Sequence, residues 1–235
     1  NNATSCEPVF ARAQSQKIIV MTHESPDQKN ADYDIEMIDN IKFGEKAMEL
    51  MVEKMGPSGK FVVFVGSLTV PAHNIWADAA LRLAAEKYPD LVQVADRYPV
   101  SEDQHLARQT SLEILTAHPE IKGFLCFGSQ GAPGAAQAVR EKGLEDKVTV
   151  IGTTSPNQAS QFLLDGSMDY SILWDPGEAA YVMVYLAKMV LDGKGDEIVD
   201  GISIPGIGEA KIEGINVLFD RPLIVTKDNV ADYDF

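Results

Sequence analysis

A chain of 235 residues with 45% apolar side chains is long enough for one large or two small globular domains with a buried core. Its 35 acidic residues outnumber 20 basic ones, for a formal charge of -15 and a pI near 4.6. That balance excludes partners that must be met by clustered Lys and Arg, namely nucleic acid and anionic membrane surfaces.

No apolar run approaches the ~20 residues of a membrane-spanning helix, and no signal peptide is in view. Two cysteines make no disulfide framework. Cys6 on a predicted helix and Cys126 in a predicted buried strand are expected to be separate thiols.

Thr4 and Glu7 are spaced as a capping box and Pro8 suits a first turn, so a helix is predicted over Ser5 to Gln14. A strand from Ile18 to Thr22 follows, then a polar loop of His23, Glu24, Ser25 and Pro26. Asp32 to Asp39 reads as a second strand. Gly44, Ala47, Met48, Met51, Val52 and Met55 then define one helical face, whose methionines are read as core. Phe61 to Val65 carries no polar residue, as expected of a parallel strand covered on both faces. Leu68 to Ala72 reads as loop, and Ile75, Trp76, Ala79, Ala80 and Leu83 recur on one helical face. His73 and Asn74 are thereby placed at a helix entrance beyond a strand's carboxyl end, where ligands bind in open α/β sheets.

The pattern repeats at ~30 residues, the size of a βαβ unit. A strand near Val92 to Val94 precedes a helix that Ser101 is expected to cap, with Leu106, Thr110 and Ile114 facing inward. Ile121 to Phe127 is a strand ending in the loop Gly128 to Gly131, and Ala135 to Glu141 is helical. Val148 to Gly152 is a strand followed by the loop Thr153 to Asn157. After a strand from Asp169 to Leu173, Ala180, Met183, Val184, Ala187 and Leu191 mark the inward face of a long helix. The tail, Ile202 to Ile207, Ala210 to Ile212 and Val217 to Phe219, reads as short antiparallel pieces.

Loops at strand carboxyl ends therefore carry the polar groups: His23 with Glu24, His73 with Asn74, Ser129 with Gln130, and Thr154 beside Asn157. Trp174 and Asp175 join them from a strand end. Carboxylates and amides hydrogen-bond hydroxyls in pairs, and an indole face covers the apolar side of a sugar ring, so the set suits a polyhydroxyl ligand. Plainer readings stand beside this one. Asp175 also fits the cap of the following helix, His73 a solvated loop histidine, and Trp76 and Trp174 the core. No nucleophile elbow, dinucleotide or Walker spacing, or metal motif occurs, so no cofactor, metal or catalytic residue is expected.

The segments VMTHESPDQKNADYDIEMIDN, FVGSLTVPAHNIWADA, VIGTTSPNQ, ILWDPGEAAY and TKDNVADYDF resemble the sugar-binding type I periplasmic binding proteins of ABC importers. Within that family they look most like the rhamnose-binding and autoinducer-2 receptor branch. The resemblance runs along essentially the whole chain. It implies an α/β fold of two doubly wound parallel-sheet lobes, joined by three crossovers and hinged around a clamped sugar. Residues 1–39 would be the remainder of the N-terminal lobe, without the βαβ units that precede it in family members. Residues 40–173 would be the C-terminal lobe, 174–210 the return to the first lobe with a helix over 177–192, and 211–235 a hinge strand and tail.

Carried over by position, Glu24 matches an acidic residue that grips ligand hydroxyls. His73 falls where autoinducer-2 receptors have glutamine and ribose binders arginine. Ala72 stands where autoinducer-2 receptors have aspartate, which favours a plain monosaccharide such as rhamnose, or a related small polyol, over autoinducer-2. Phe127 and Ser129 match pocket-lining positions, and Asp175 a polar hinge residue. The resemblance implies a monomeric, non-enzymatic, extracytoplasmic receptor that hands its sugar to membrane permease subunits. The alternatives are an autoinducer-2 receptor, the effector domain of a LacI-type repressor, or a carbohydrate enzyme using Glu24 and His73.

Overall fold

Alternation of helix and strand dominates the computed structural model, which describes residues 3–26 and 28–235. In chain order the elements are α1 (Glu7–Ser15), β1 (Met21–His23), β2 (Tyr33–Glu36), α2 (Asn40–Met55), β3 (Ser58–Phe64), α3 (Pro71–Lys87) and β4 (Asp90–Gln93). There follow α4 (Gln104–Ala117), β5 (Ile121–Cys126), α5 (Gly131–Lys142), β6 (Thr149–Gly152), α6 (Pro156–Asp165), β7 (Tyr170–Leu173) and α7 (Pro176–Leu191). The tail holds β8 (Ser203–Ile204), β9 (Gly208–Glu209), β10 (Lys211–Glu213), β11 (Asn216–Leu218) and β12 (Leu223–Val225). No helix among the described residues is long and apolar enough to cross a membrane.

The chain forms two α/β units and passes between them three times. The first unit takes residues up to Asp39 and Trp174–Pro222, the second Asn40–Leu173 and Leu223–Phe235. The stretch from residue 211 onward is thus divided, with 211–222 in the first unit and 223–235 in the second.

In the second unit six strands lie in the order β12-β7-β6-β5-β3-β4, all parallel except the edge strand β12, which runs antiparallel to β7. Phe61, Val62, Val63, Phe64, Phe124, Leu125, Val150 and Ile151 are buried, as strands covered on both faces require. The methionine stripe of α2 packs on this sheet at Gly123, where an added Cβ would come within 2.9 Å of Met55 Sδ and 3.1 Å of Met51 Cε. Glycine is what lets these flexible side chains reach the strand. At the α2 and α3 crossing, a Cβ on Gly44 would stand 2.2 Å from the Trp76 carbonyl oxygen, so only glycine allows that approach.

In the first unit the order is β1-β2-β11-β10. Ala179, Val182 and Leu186 of α7 pack with Ile35, Met37, Val217 and Phe219. Arg221 fixes the tail by a forked pair of bonds to Glu178 (2.8 and 2.6 Å) and one to the Ile207 carbonyl (2.9 Å).

Several local expectations are corrected. Helix α4 is capped by Asp103, whose carboxylate accepts from Leu106 N–H (3.0 Å), while Ser101 is buried behind it. Leu106 is exposed, and Ala107, Ser111, Ile114 and Leu115 face inward, because the small Ala107 admits α5 at Gly134. The inward face of α7 is one position off the expected stripe, leaving Ala180, Val184 and Leu191 exposed. Both faces of that helix are apolar, so periodicity alone did not choose between them.

The side chain of Thr4 lies outside the described residues. Glu7 accepts instead from Lys29 N–H (2.6 Å) and Asn30 Nδ2 (2.5 Å), and the cap position of α1 is Cys6. Strand β11 runs parallel to β2 and is antiparallel only to β10. Cys6 is exposed and Cys126 buried, both as free thiols.

Candidate functional site

In the first unit, β1 ends in His23 and hands the chain to Glu24, which adopts the left-handed region at φ 57°. A non-glycine residue there is strained, and such strain collects at functional loops. His23 Nδ1 lies 2.6 Å from the Ile35 carbonyl and therefore carries a proton. Its Nε2 accepts from the Trp174 indole N–H (3.0 Å) and lies 3.3 Å from Glu24 Oε1. Burial pulls the imidazole pKa down, but the Glu24 and Ile35 hydrogen bonds and the Glu24 and Glu36 charges outweigh it, and the net shift is upward. Asp175 stands next to Trp174 and caps α7, its Oδ1 accepting from Gly177 N–H (2.7 Å) and Glu178 N–H (3.3 Å). His23, Glu24, Trp174 and Asp175 are thus brought together by β1 and the entrance of α7.

In the second unit, α3 begins at Pro71, so His73 and Asn74 lie in its first turn. Gly66 N–H donates to His73 Nδ1 (3.1 Å), which puts the imidazole proton on Nε2. The ring packs on Trp76 with centroids 5.2 Å apart. Asn74 serves the loop: Nδ2 donates to the Ser67 and Val70 carbonyls (3.0 and 2.8 Å), and Oδ1 accepts from Arg97 (2.7 Å). Trp76 is buried and bonds Asn40 Oδ1 through its indole (2.5 Å), with Phe43 and Phe127 against it. Trp76 and Phe127 are therefore core side chains that back His73 rather than exposed stacking faces.

Glu102 completes this second group and was not singled out from sequence as a ligand residue. Its carboxylate lies 3.9 Å from His73 Nδ1 and hydrogen-bonds Ser129, and burial raises its pKa. It packs over two glycines, since a Cβ on Gly66 or Gly128 would come within 2.8 or 2.9 Å of its Oε1. Ser129 is exposed and takes a bond from Gln130 Nε2 (3.3 Å). Thr154 is buried and committed inward, its N–H donating to Ser171 Oγ (3.2 Å) and its hydroxyl to Gln158 (3.1 Å). The second unit thus gathers His73, Glu102, Ser129 and Gln130 at the carboxyl ends of its strands, whereas Asn74 serves the loop, Trp76 and Phe127 pack behind His73, and Thr154 is engaged with Ser171 and Gln158.

Two parallel-sheet α/β units joined by three chain crossings, each with polar groups beyond its strand ends, define a two-lobed binding protein of the type I periplasmic class. A family model described as periplasmic binding protein domain matches residues 1–195, and the chain belongs to that family. It is 26% identical over 144 residues to the D-allose-binding periplasmic protein of Escherichia coli K12, a match spanning 60% of this chain and 45% of that relative. Among solved structures, LsrB from Clostridium saccharobutylicum in complex with AI-2 superposes with a TM-score of 0.86 at 27% identity, covering 100% of this chain and 80% of that one. A solute-binding protein from Clostridium phytofermentas with bound L-rhamnose gives a TM-score of 0.82 at 21% identity, covering 97% and 75%, and shows the shared fold.

Proposed function

We propose that this protein is a solute receptor of an ABC importer that binds a monosaccharide outside the cytoplasm and delivers it to a membrane permease without chemically altering it. The observation that carries the reading is the group of Trp174, His23, Glu24 and Asp175. It combines an indole, an imidazole bonded to it and two carboxylates at one end of the first unit. An indole with adjacent carboxylates suits a ring bearing apolar C–H faces and hydroxyl edges. His73, Glu102, Ser129 and Gln130 offer the second unit's hydrogen-bonding groups of the same kind. A relative named for binding D-allose and a neighbour solved in complex with AI-2 support the substrate class.

A deoxyhexose such as rhamnose is the ligand we favour, since Ala72 in the first turn of α3 supplies no carboxylate. Autoinducer-2 is the second reading, favoured by the likeness to LsrB over the whole of this chain. Thermal melting against a panel of monosaccharides and AI-2, followed by calorimetry on each hit, tests both. Micromolar binding of one sugar, about -8 kcal/mol, is the expected result. Turnover of a bound sugar, or silence across the panel, would overturn the reading.

A further inference from the structure

We propose that Thr22, Asp34, Glu36 and Asn216 form an oxygen-ligand site for a hard cation of the Ca2+ class inside the first unit. Asp34 stands opposite Thr22 in the β1 and β2 register and opposite Asn216 in the β11 and β2 register. The three side chains therefore share one sheet face in a row across three adjacent strands, and Glu36, two residues on, joins them on it. The other face, carrying Ile35 and Val217, packs with α7.

Exposure is 8% at Thr22, 0% at Asp34 and 3% at Glu36. Thr22 Oγ1, Asp34 Oδ2, Glu36 Oε1 and Asn216 Oδ1 are each buried without a hydrogen-bond partner among the described residues. All four atoms are oxygens, two of them carboxylate. The Asp34 carboxylate accepts from Ser25 N–H through Oδ1 (3.1 Å), and the Glu36 and Asp34 carboxyls hydrogen-bond each other, which requires one of them to hold a proton. The charges acting most strongly on Glu36 are Asp34, His23 and Glu24, so carboxylates outnumber the single group able to turn positive.

A buried carboxyl pair with nothing positive beside it is costly to ionise and keeps a proton instead, while the unpartnered Thr22 hydroxyl oxygen and Asn216 amide oxygen leave further lone pairs unsatisfied. A hard cation resolves both problems at once, because it takes oxygen ligands and carries the missing charge. Among the described residues no three His, Cys, Asp or Glu side chains are grouped to hold a metal. This site has two carboxylates and neutral oxygens, which points away from soft metals and towards Ca2+ with an affinity on the order of 0.1–1 mM.

The test uses the full chain, treated with EDTA and then titrated with CaCl2, MgCl2, NaCl or KCl while melting and heat of binding are followed. Saturating Ca2+ should raise the melting temperature, as any ligand of the folded state does. Asp34→Asn and Glu36→Gln should each remove that shift, and Thr22→Val, which deletes one ligand with little change of shape, should weaken Ca2+ at least about tenfold. If the carboxylate variants fail to fold, the Thr22→Val comparison decides alone. A melting temperature unmoved by all four salts, or a Ca2+ shift that survives the variants that fold, overturns the proposal. Sugar binding is read separately, so either result stands apart from the receptor reading.

Discussion

The indole N–H of Trp174 donates to Nε2 of His23 over 3.0 Å, joining two residues 151 positions apart in the chain. The same nitrogen lies 3.3 Å from Glu24 Oε1, so two neighbours compete for it in opposite protonation states. The neutral ring accepts from Trp174, and the protonated ring donates to Glu24.

Opposite shifts are therefore expected from two variants. Glu24→Gln should lower the His23 pKa, and Trp174→Phe, which removes a donor to the neutral ring, should raise it. In the parent protein burial lowers the value, but the Glu24 and Ile35 hydrogen bonds and the nearby carboxylate charges hold it above the ordinary histidine range. With a raised folded pKa, the stability His23 contributes is fully present below the unfolded pKa and is lost as pH rises through the folded one. NMR titration of the imidazole reads all three proteins. Shifts of the same sign in both variants would contradict the competing roles.

Asp175 holds the first turn of α7, so Asp175→Ala should cost about 1 kcal/mol of stability through loss of the cap. Asp175→Ser keeps a capping oxygen, and its apo melting temperature should stay near that of the parent. If Asp175 also touches the sugar, both variants lose affinity, by ~1–3 kcal/mol for an unpaired hydroxyl. Full affinity in Asp175→Ser would reduce the residue to a helix cap.

Burial and the adjacent Asp34 push the Glu36 carboxyl up to about 8. The folded state therefore holds this proton more tightly than the unfolded chain does. Stability from this group is complete below about pH 4.5 and is lost progressively as pH rises to about 8. Denaturation followed across that range in EDTA should show the decline, and Glu36→Gln should flatten it. A pH profile shared by the two proteins would refute the assignment.

Asn74 has both amide protons and its oxygen engaged within the loop from Ser67 to the first turn of α3. Asn74→Ala should destabilise the second unit by roughly 1–3 kcal/mol by leaving Arg97 and two carbonyls short of a partner. Glu102→Gln is expected to do the reverse, lowering sugar affinity with little change in melting. Calorimetry and thermal unfolding on the pair separate support from recognition.

Local chemistry was legible in the residues themselves. The apolar run Phe61 to Val65, the helical recurrence from Trp76 to Leu83 and the ~30-residue repeat express periodicities that neighbouring residues set, and they define an α/β chain. The polar loops at His23, His73 and Ser129 were equally visible, because strand ends follow from where apolar runs stop. Tertiary structure alone decided which of those residues work together. Glu102 meets His73 and Ser129 because β3 and β5 are adjacent in the sheet while β4 is at its edge, an order no local pattern encodes. The inward face of α7 was settled by what it packs against, since that helix is apolar on two sides. Asp34 acquires Asn216 as a neighbour only because β11 returns from the tail to lie parallel with β2. Strand pairing between distant segments depends on the packing of the whole unit, and that is why the buried oxygen row was out of reach of the sequence.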